Sequence, residues 1–203
     1  MKTFRFLTFG LLAFSLYSCS GSEEQNVEQD IATETYTLLL ERSNILWVGD
    51  FIKAGALDHS HEGELLFNSG TIQTDEGNIV SGEFELNMAS IKELNPPFGD
   101  EQAMKFEGHL KSGDYFDSEK FPTAKVIISG NKDGKLQGTI TIKGVEMAFD
   151  APVEVALDDD FAKVTGTFNL DFSAFKMDGI GGEGEFVSPK INFDIYLDFE
   201  RKK

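Results

Sequence analysis

The sequence has little cysteine and few basic side chains. Its 203 residues include one Cys, one Trp and four Tyr, and 18 Lys and Arg stand against 35 Asp and Glu, giving a formal net charge of −17. A single Cys excludes an intramolecular disulfide and a Cys-rich metal site. The shortage of positive charge argues against binding to nucleic acid and against attraction to anionic lipid headgroups, because both need a basic surface. We therefore expect no nucleic-acid partner.

Phenylalanine, by contrast, is abundant. The chain has 19 Phe and is 40% hydrophobic, which is typical of a folded domain rather than a disordered chain. Phe adds apolar area without a hydroxyl or an indole N–H that would need a partner. The aromatic content is therefore consistent with a dry, apolar interior.

Residues 1–18 have the pattern of an export signal. Lys2 and Arg5 precede a short apolar stretch, Leu7–Leu16, and a stretch of that length is shorter than the about 20 residues that a membrane-spanning helix needs. The segment carries two positive charges and no negative one, so its removal would change the net charge from −17 to −19. We expect a cleaved signal and no transmembrane helix.

The residues Leu16-Tyr17-Ser18-Cys19 resemble the lipobox of bacterial lipoproteins, although Tyr17 replaces the usual small residue. The alternative is an ordinary signal peptide with an incidental Cys, but the only Cys lies where lipidation would require it. Because two or more acyl chains give stable membrane attachment, we predict that lipidated Cys19 anchors the protein to a membrane.

Residues 19–35 are acidic, polar and without hydrophobic period, which predicts a flexible tether. The acidic stretch Ser20–Glu24 is similar to the surface-export signal of Bacteroidetes lipoproteins. We therefore expect an outer-membrane-anchored lipoprotein, and the sequence leaves both the periplasmic and the outer face open. The oligomeric state also stays open, with a homodimer as one option.

From residue 36 to residue 203 the chain alternates apolar and polar side chains, as half-exposed β-strands do. The pattern predicts an all-β, antiparallel barrel or sandwich of about eight strands. The predicted strands are Leu38–Arg42, Ile45–Lys53, His61–Phe67, Phe84–Met88, Val126–Ser129, Leu136–Ile142, Val145–Leu157, Val164–Phe172 and Ile191–Phe199.

One segment, residues 99–112, breaks this alternation. Asp100 and Glu101 open it, Pro96 and Pro97 precede it, and Gly113 follows it. Acidic residues in the first turn and a glycine after the last are typical of a helix. We predict a short helix with Asp100 as its N-cap.

Several blocks resemble the YceI family in order and spacing. They are Trp47-Val48-Gly49, His61-Glu62-Gly63, Gly82–Ile91, Gly108–Val126 and Gly138–Val145. The resemblance covers Tyr36 to Glu200 and implies a lipocalin-like antiparallel β-barrel, closed by a helical segment, whose apolar pore holds a polyisoprenoid or similar long-chain lipid. It also implies an exported, non-enzymatic protein. The sequence departs from the family pattern at Phe172, where an Arg is expected, but keeps an aromatic residue at Phe175.

We predict that inward-facing apolar side chains line this pore. The alternative is a solid core, since alternation alone cannot distinguish a filled barrel from one that holds a ligand. The predicted lining residues are Phe84, Leu86, Met88, Met147, Phe149, Phe168, Leu170, Phe172, Phe193, Ile195 and Leu197.

Other possible sites have simpler interpretations. His59 and His61 share a strand face and could bind a metal together with His109. The alternative is that His59 lies in a polar turn and that the ring nitrogens of His61 and His109 bond to nearby groups. Asp158–Asp160 lacks the glycine and terminal Glu of a calcium loop, and we interpret it as a solvated hairpin tip. Gly179–Gly184 lacks the Lys and Ser/Thr of a phosphate-binding loop. We expect no metal and no cofactor.

No residue pattern indicates catalysis. The sequence has no G-x-S-x-G motif, and no paired carboxylates stand in an apolar setting. Two classes of function follow. The first is an envelope lipoprotein that binds a long-chain apolar lipid for sequestration, storage or transport. The second is a structural or interaction lipoprotein with a solid core.

Overall fold

The computed structural model describes residues 33–175 and 185–203, without the side chains of residues 185 and 186. The predicted signal 1–18, Cys19, most of the predicted tether and the loop Gly179–Gly184 lie outside the described residues. The first strand begins at Glu34, so regular structure starts two residues before the predicted domain boundary at Tyr36.

The described chain contains twelve strands, one α-helix and three short 3-10 turns. The strands are β1 (Glu34–Leu38), β2 (Asn44–Lys53), β3 (Ala56–Leu65), β4 (Phe67–Asp75), β5 (Asn78–Asn87), β6 (Lys92–Leu94), β7 (Thr123–Lys132), β8 (Lys135–Ile142), β9 (Val145–Pro152), β10 (Glu154–Leu157), β11 (Phe161–Asp171) and β12 (Glu185–Arg201). The helix, α1, covers Asp100–Lys111. The 3-10 turns are Leu40–Arg42, Met88–Ser90 and Phe172–Phe175.

These twelve strands belong to eight extended stretches of chain, which we call runs. This number agrees with the about eight strands predicted from the sequence. β1 and β2 belong to one run, 34–53, interrupted by a 3-10 turn. In the same way β3 and β4 form one run, β5 and β6 another, and β9 and β10 a third. Each of the other four strands is a run by itself.

The runs pair antiparallel around a barrel-like sheet. β12 pairs with both β1 and β2, which pair in turn with β4 and β3. The order continues through β5, β7, β8 and β9, and β10 leads to β11, which pairs with β12 along its whole length. The last run thus returns to the first, and the predicted all-β, lipocalin-like class with one helix is confirmed.

The two ends of the sheet differ. Every run forms an interstrand hydrogen-bond ladder with both of its neighbours over part of its length. Within the described residues, however, no ladder joins β9 to β11 or β6 to β7. Both gaps belong to the end at which α1 lies, which we call the helix end. At the other end, the closed end, five side chains form a core and are each 2% exposed or less: Tyr36, Ile72, Ile79, Val164 and Phe199.

Most predicted strands are shorter than the observed ones, and three of them extend past an observed strand by two residues or more. Strand β1 ends at Leu38, and Leu40–Arg42 form a 3-10 turn instead of a strand. The prediction His61–Phe67 crosses the break at Leu66 and misses β4, whose mostly polar sequence hid it. The predicted strand Val145–Leu157 is broken after Pro152, which has no N–H to donate to a ladder.

Two further residues assigned to strands lie in turns instead. Met88 and Phe172 each begin a 3-10 turn, yet both are buried, at 3% and 6% exposure. Their apolar side chains therefore indicated burial correctly, but the strand pattern assigned them an extended backbone that the structure does not have.

Helix α1 begins as predicted, with a different cap. Gly99 occupies the N-cap position with φ of 86°, a conformation that glycine adopts most readily. The assignment of Asp100 as the cap is therefore wrong; Asp100 and Glu101 lie in the first turn, where the helix dipole favours negative charge. No helix in the described part of the chain is long and apolar enough to cross a membrane.

Candidate functional site: an apolar cavity inside the sheet

The inward-facing side chains do not fill the interior of the barrel-like sheet, and a cavity of about 490 Å³ lies between them. Sites for small ligands typically measure roughly 300 to 1,000 Å³. Among the described lining residues, His61 is the only member of the Asp, Glu, Lys, Arg and His group. The cavity can therefore hold an apolar chain, and its lining has no Lys or Arg to pair with a phosphate.

Ten of the eleven predicted lining residues lie around this cavity: Phe84, Leu86, Met88, Phe149, Phe168, Leu170, Phe172, Phe193, Ile195 and Leu197. The eleventh, Met147, is partly buried and packs against the core instead. Alternation in the sequence assigned these residues to inward faces, but only the packing shows that space is left between them.

Side chains of β12 become more exposed towards the helix end. Leu197 and Ile195 are 6% and 8% exposed, whereas Phe193 and Ile191 are only partly buried. Phe193 pairs with Phe168 across the ladder, and their ring centroids are 6.0 Å apart. The cavity therefore approaches the surface at the helix end, between aromatic rings.

Phe172, at the position where the family pattern has Arg, belongs to this aromatic group. Its ring centroid lies 5.7 Å from that of Phe193 and 5.1 Å from that of Phe175. The wall of the cavity is therefore aromatic and apolar at this position.

Helix α1 and the segment after it contribute lining residues that the sequence analysis did not assign. Phe106 and Leu110 are four residues apart, so they share one face of α1, and Tyr115 and Phe116 follow. The four-residue spacing of Phe106 and Leu110 within the predicted helix could have identified them as inward-facing residues. Lys143 Nζ donates to the Tyr115 carbonyl oxygen at 2.6 Å, which fastens the segment to the turn between β8 and β9.

Trp47, the only tryptophan of the chain, also lines the cavity and is 8% exposed. It lies across the ladder from Gly63 in β3 and from Phe193 in β12. Its Nε1 is buried and has no hydrogen-bond partner among the described residues. An unpaired buried donor costs free energy, so the indole is held by packing and not by a hydrogen bond to the described residues.

Two of the three histidines meet near the helix end. His59 Nε2 and His61 Nε2 lie 3.1 Å apart, whereas His109, on α1, packs edge-on against Tyr115. In the described part of the chain no group of three or more His, Cys, Asp or Glu side chains is placed to hold a metal ion. The three-histidine arrangement considered from the sequence therefore does not form.

Two acidic residues near chain turns are used locally. Asp158 Oδ1 accepts from the backbone N–H groups of Asp160 and Phe161 at 2.9 and 2.7 Å, in the hairpin between β10 and β11. Asp171 accepts from the hydroxyl and the backbone N–H of Ser173. The hydroxyl bond, followed by the backbone bond, lowers the pKa of Asp171. Neither carboxylate lies among the residues that line the cavity.

Solved structures of low sequence identity share this fold. The crystal structure of BcnA from Burkholderia cenocepacia matches with a TM-score of 0.60 and 22% identity, covering 79% of this chain and 98% of that one. A polyisoprenoid-binding domain from Saccharophagus degradans, implicated in plant cell wall breakdown, matches with a TM-score of 0.55 and 14% identity over 82% of this chain and 98% of that one. Identities this low establish the fold alone.

Sequence comparison identifies the family. No protein of curated function matches the chain significantly. The model of the YceI-like domain matches residues 36–199, a range that contains every lining residue of the cavity. The chain therefore belongs to the YceI-like domain family.

Proposed function

We propose that this protein binds a long-chain apolar lipid, a polyisoprenoid or a similar amphiphile, inside the barrel-like sheet. The observation that carries the proposal is the cavity of about 490 Å³, in which 24 of the 32 described lining residues are Phe, Leu, Ile, Val or Met. An apolar chain gains roughly 25 cal/mol for each Å² it removes from water. The polyisoprenoid-binding domain from Saccharophagus degradans, which has the same fold, supports this class of ligand.

The lining also favours a ligand whose buried end is uncharged. The described lining residues with a polar side-chain atom are Trp47, His61, Tyr115, Ser173 and Ser188, and none of the lining residues is Lys or Arg. A phosphate or carboxylate buried away from His61 would have no cationic partner and would carry a large desolvation cost. We propose binding without catalysis, for sequestration, storage or transport.

We further propose that the protein acts at the cell envelope as a lipoprotein attached through Cys19. The apolar stretch Leu7–Leu16 and the position of the only Cys support this. The acidic composition supports attachment through lipid, because a chain with net charge −17 gains nothing from anionic headgroups. We propose the outer membrane, with the domain on its periplasmic or its outer face.

Native mass spectrometry of the purified protein tests the ligand. Wild-type protein is expected to carry one long-chain lipid or to take up an added prenyl alcohol. Leu170→Asp places a charge in the cavity wall and is expected to abolish retention. Asn169→Asp adds the same charge on the exposed face of the same strand and should retain lipid as wild type does.

A space-filling variant protects this test against simple misfolding. Leu170→Trp keeps the wall apolar and should reduce retention while the thermal unfolding curve stays cooperative. If wild-type protein is purified without ligand and also fails to bind added prenyl alcohols, the second candidate is favoured: an interaction lipoprotein with no ligand.

A further inference from the structure

His59 and His61 form a pair whose geometry the lipid cavity does not explain. They are two residues apart in β3, so both side chains lie on the same face of the strand. Their Nε2 atoms are 3.1 Å apart. Each ring therefore presents the same nitrogen to the other.

The other nitrogen of each ring is held by a carboxylate. His59 Nδ1 lies 2.7 Å from Asp58 Oδ2, and His61 Nδ1 lies 2.5 Å from Glu93 Oε1. A carboxylate ion only accepts hydrogen bonds, so each Nδ1 must carry the hydrogen. In the neutral rings both Nε2 atoms are then unprotonated, and two lone pairs face each other at hydrogen-bond distance. Two lone pairs at this distance repel each other, and a cation bound by both nitrogens would remove that repulsion.

We propose that His59 and His61 bind a divalent transition-metal ion through their Nε2 atoms. With metal–nitrogen bonds of about 2.0 to 2.1 Å, a separation of 3.1 Å corresponds to an N–metal–N angle of about 100°. This angle lies between those of square-planar and tetrahedral coordination. Imidazole ligands suit Zn²⁺, Cu²⁺ and Ni²⁺, and water completes the coordination, because no third protein ligand is placed among the described residues.

The surroundings hold both rings in place. Phe51 stacks on the His59 ring at 4.8 Å and Phe106 on the His61 ring at 3.9 Å, while Phe98 meets His59 edge-on. The Glu93 side chain is 1% exposed, and its backbone N–H donates to Glu107 Oε1 at 2.9 Å. A carboxylate behind a ligating histidine fixes the tautomer and raises its basicity. Asp58 and Glu93 are therefore positioning residues of this site.

The test is a competition titration of Zn²⁺ against a chromophoric chelator. It uses the untagged full chain with Cys19→Ser, in detergent, so that no thiol contributes. We expect one Zn²⁺ bound per chain in excess Mg²⁺, which occupies the surface carboxylates. His59→Ala and His61→Ala should each weaken binding at least tenfold, and Glu93→Gln by about 10- to 100-fold.

The matched control is His109→Ala, which removes the remaining histidine and should leave Zn²⁺ affinity unchanged. The double variant His59→Ala/His61→Ala keeps every carboxylate and so measures nonspecific binding. Co²⁺ substitution gives a second readout, since its visible spectrum should change with Glu93→Gln. Equal Zn²⁺ affinity in wild type and the double variant would overturn the proposal and leave a shared proton as the cation between the rings. Circular dichroism checks that each variant is folded.

Discussion

The backbone of Gly63 lies directly against the indole ring of Trp47. A Cβ atom on Gly63 would come within 2.1 Å of Trp47 Cζ2 and within 2.2 Å of the Lys92 carbonyl oxygen. One of these neighbours is a large buried ring and the other is backbone, so neither can move away cheaply. The absence of a side chain at Gly63 therefore fixes how closely Trp47 approaches β3.

Gly63→Ala is expected to destabilise the protein by forcing Trp47 away from β3. Overpacking of this kind typically costs about 1 to 3 kcal/mol, which urea denaturation would measure as a lower midpoint. Trp47 emission should shift as well. The control is Gly108→Ala in α1, where a Cβ would meet no atom within 4 Å and helix propensity favours Ala by up to about 1 kcal/mol. Wild-type stability in Gly63→Ala would show that the strand pair can spread without cost.

Trp47 also provides an intrinsic probe of ligand binding. It is the only Trp and lines the cavity, so a bound chain should change its emission. For a series of prenyl alcohols we expect tighter binding with each added isoprene unit, since each buried CH₂ contributes about 0.8 kcal/mol. The gain should stop once the chain exceeds the cavity. Affinity that is independent of chain length would contradict burial of the chain; Trp47→Phe, which abolishes the signal, controls for quenching.

Asp171 should titrate below the ordinary range of an aspartate, because hydrogen bonds from Ser173 lower its pKa. A folded-state pKa below the unfolded one means that these bonds favour the folded state above the unfolded pKa of about 3.9. That contribution is lost as the pH falls through the folded pKa. Carboxyl-carbon NMR should show the pKa of Asp171 rising towards its usual value in Ser173→Ala. Ser129→Ala, whose hydroxyl bonds Gln137 instead, should leave it unchanged.

Cys19→Ala should release the protein from membranes while the domain folds normally. The wild-type protein is expected to stay with the membrane fraction through a high-salt wash, because acyl chains rather than charges hold it there. Fractionation followed by immunoblotting measures this. Membrane attachment of Cys19→Ala after the salt wash would mean that the anchor is not the lipidated Cys.

The sequence was informative where alternation is strict. Val164, Phe168 and Leu170 in β11 and Ile195 and Leu197 in β12 follow period two, and the structure places them on the inward face of the sheet. The pattern was less informative where the chain changes direction without losing its apolar residues. Nothing in the residues around Leu66 marks the break between β3 and β4, since the break depends on which neighbouring strand each half pairs with.

The cavity itself could not be predicted from strand patterns. Phe106 and Leu110 reach the cavity from helix α1. Their helical spacing is equally compatible with packing into a solid core. The His59–His61 pair was visible as two residues on one face, but its carboxylate partner Glu93 lies 32 residues further along the chain from His61. Pairing of β3 with β6 brings these groups together, and such pairing is set by the whole sheet rather than by any local segment.

The two missing ladders at the helix end have a mechanical consequence. Moving β9 away from β11 there would break no interstrand hydrogen bond among the described strands, whereas moving β10 from β11 would break the ladder between residues 154–157 and 162–165. Interstrand ladders thus join neighbouring runs around the whole sheet near the closed end, whereas no ladder crosses these two gaps among the described strands. Separating strands at the helix end would therefore break fewer interstrand hydrogen bonds than separating them at the closed end.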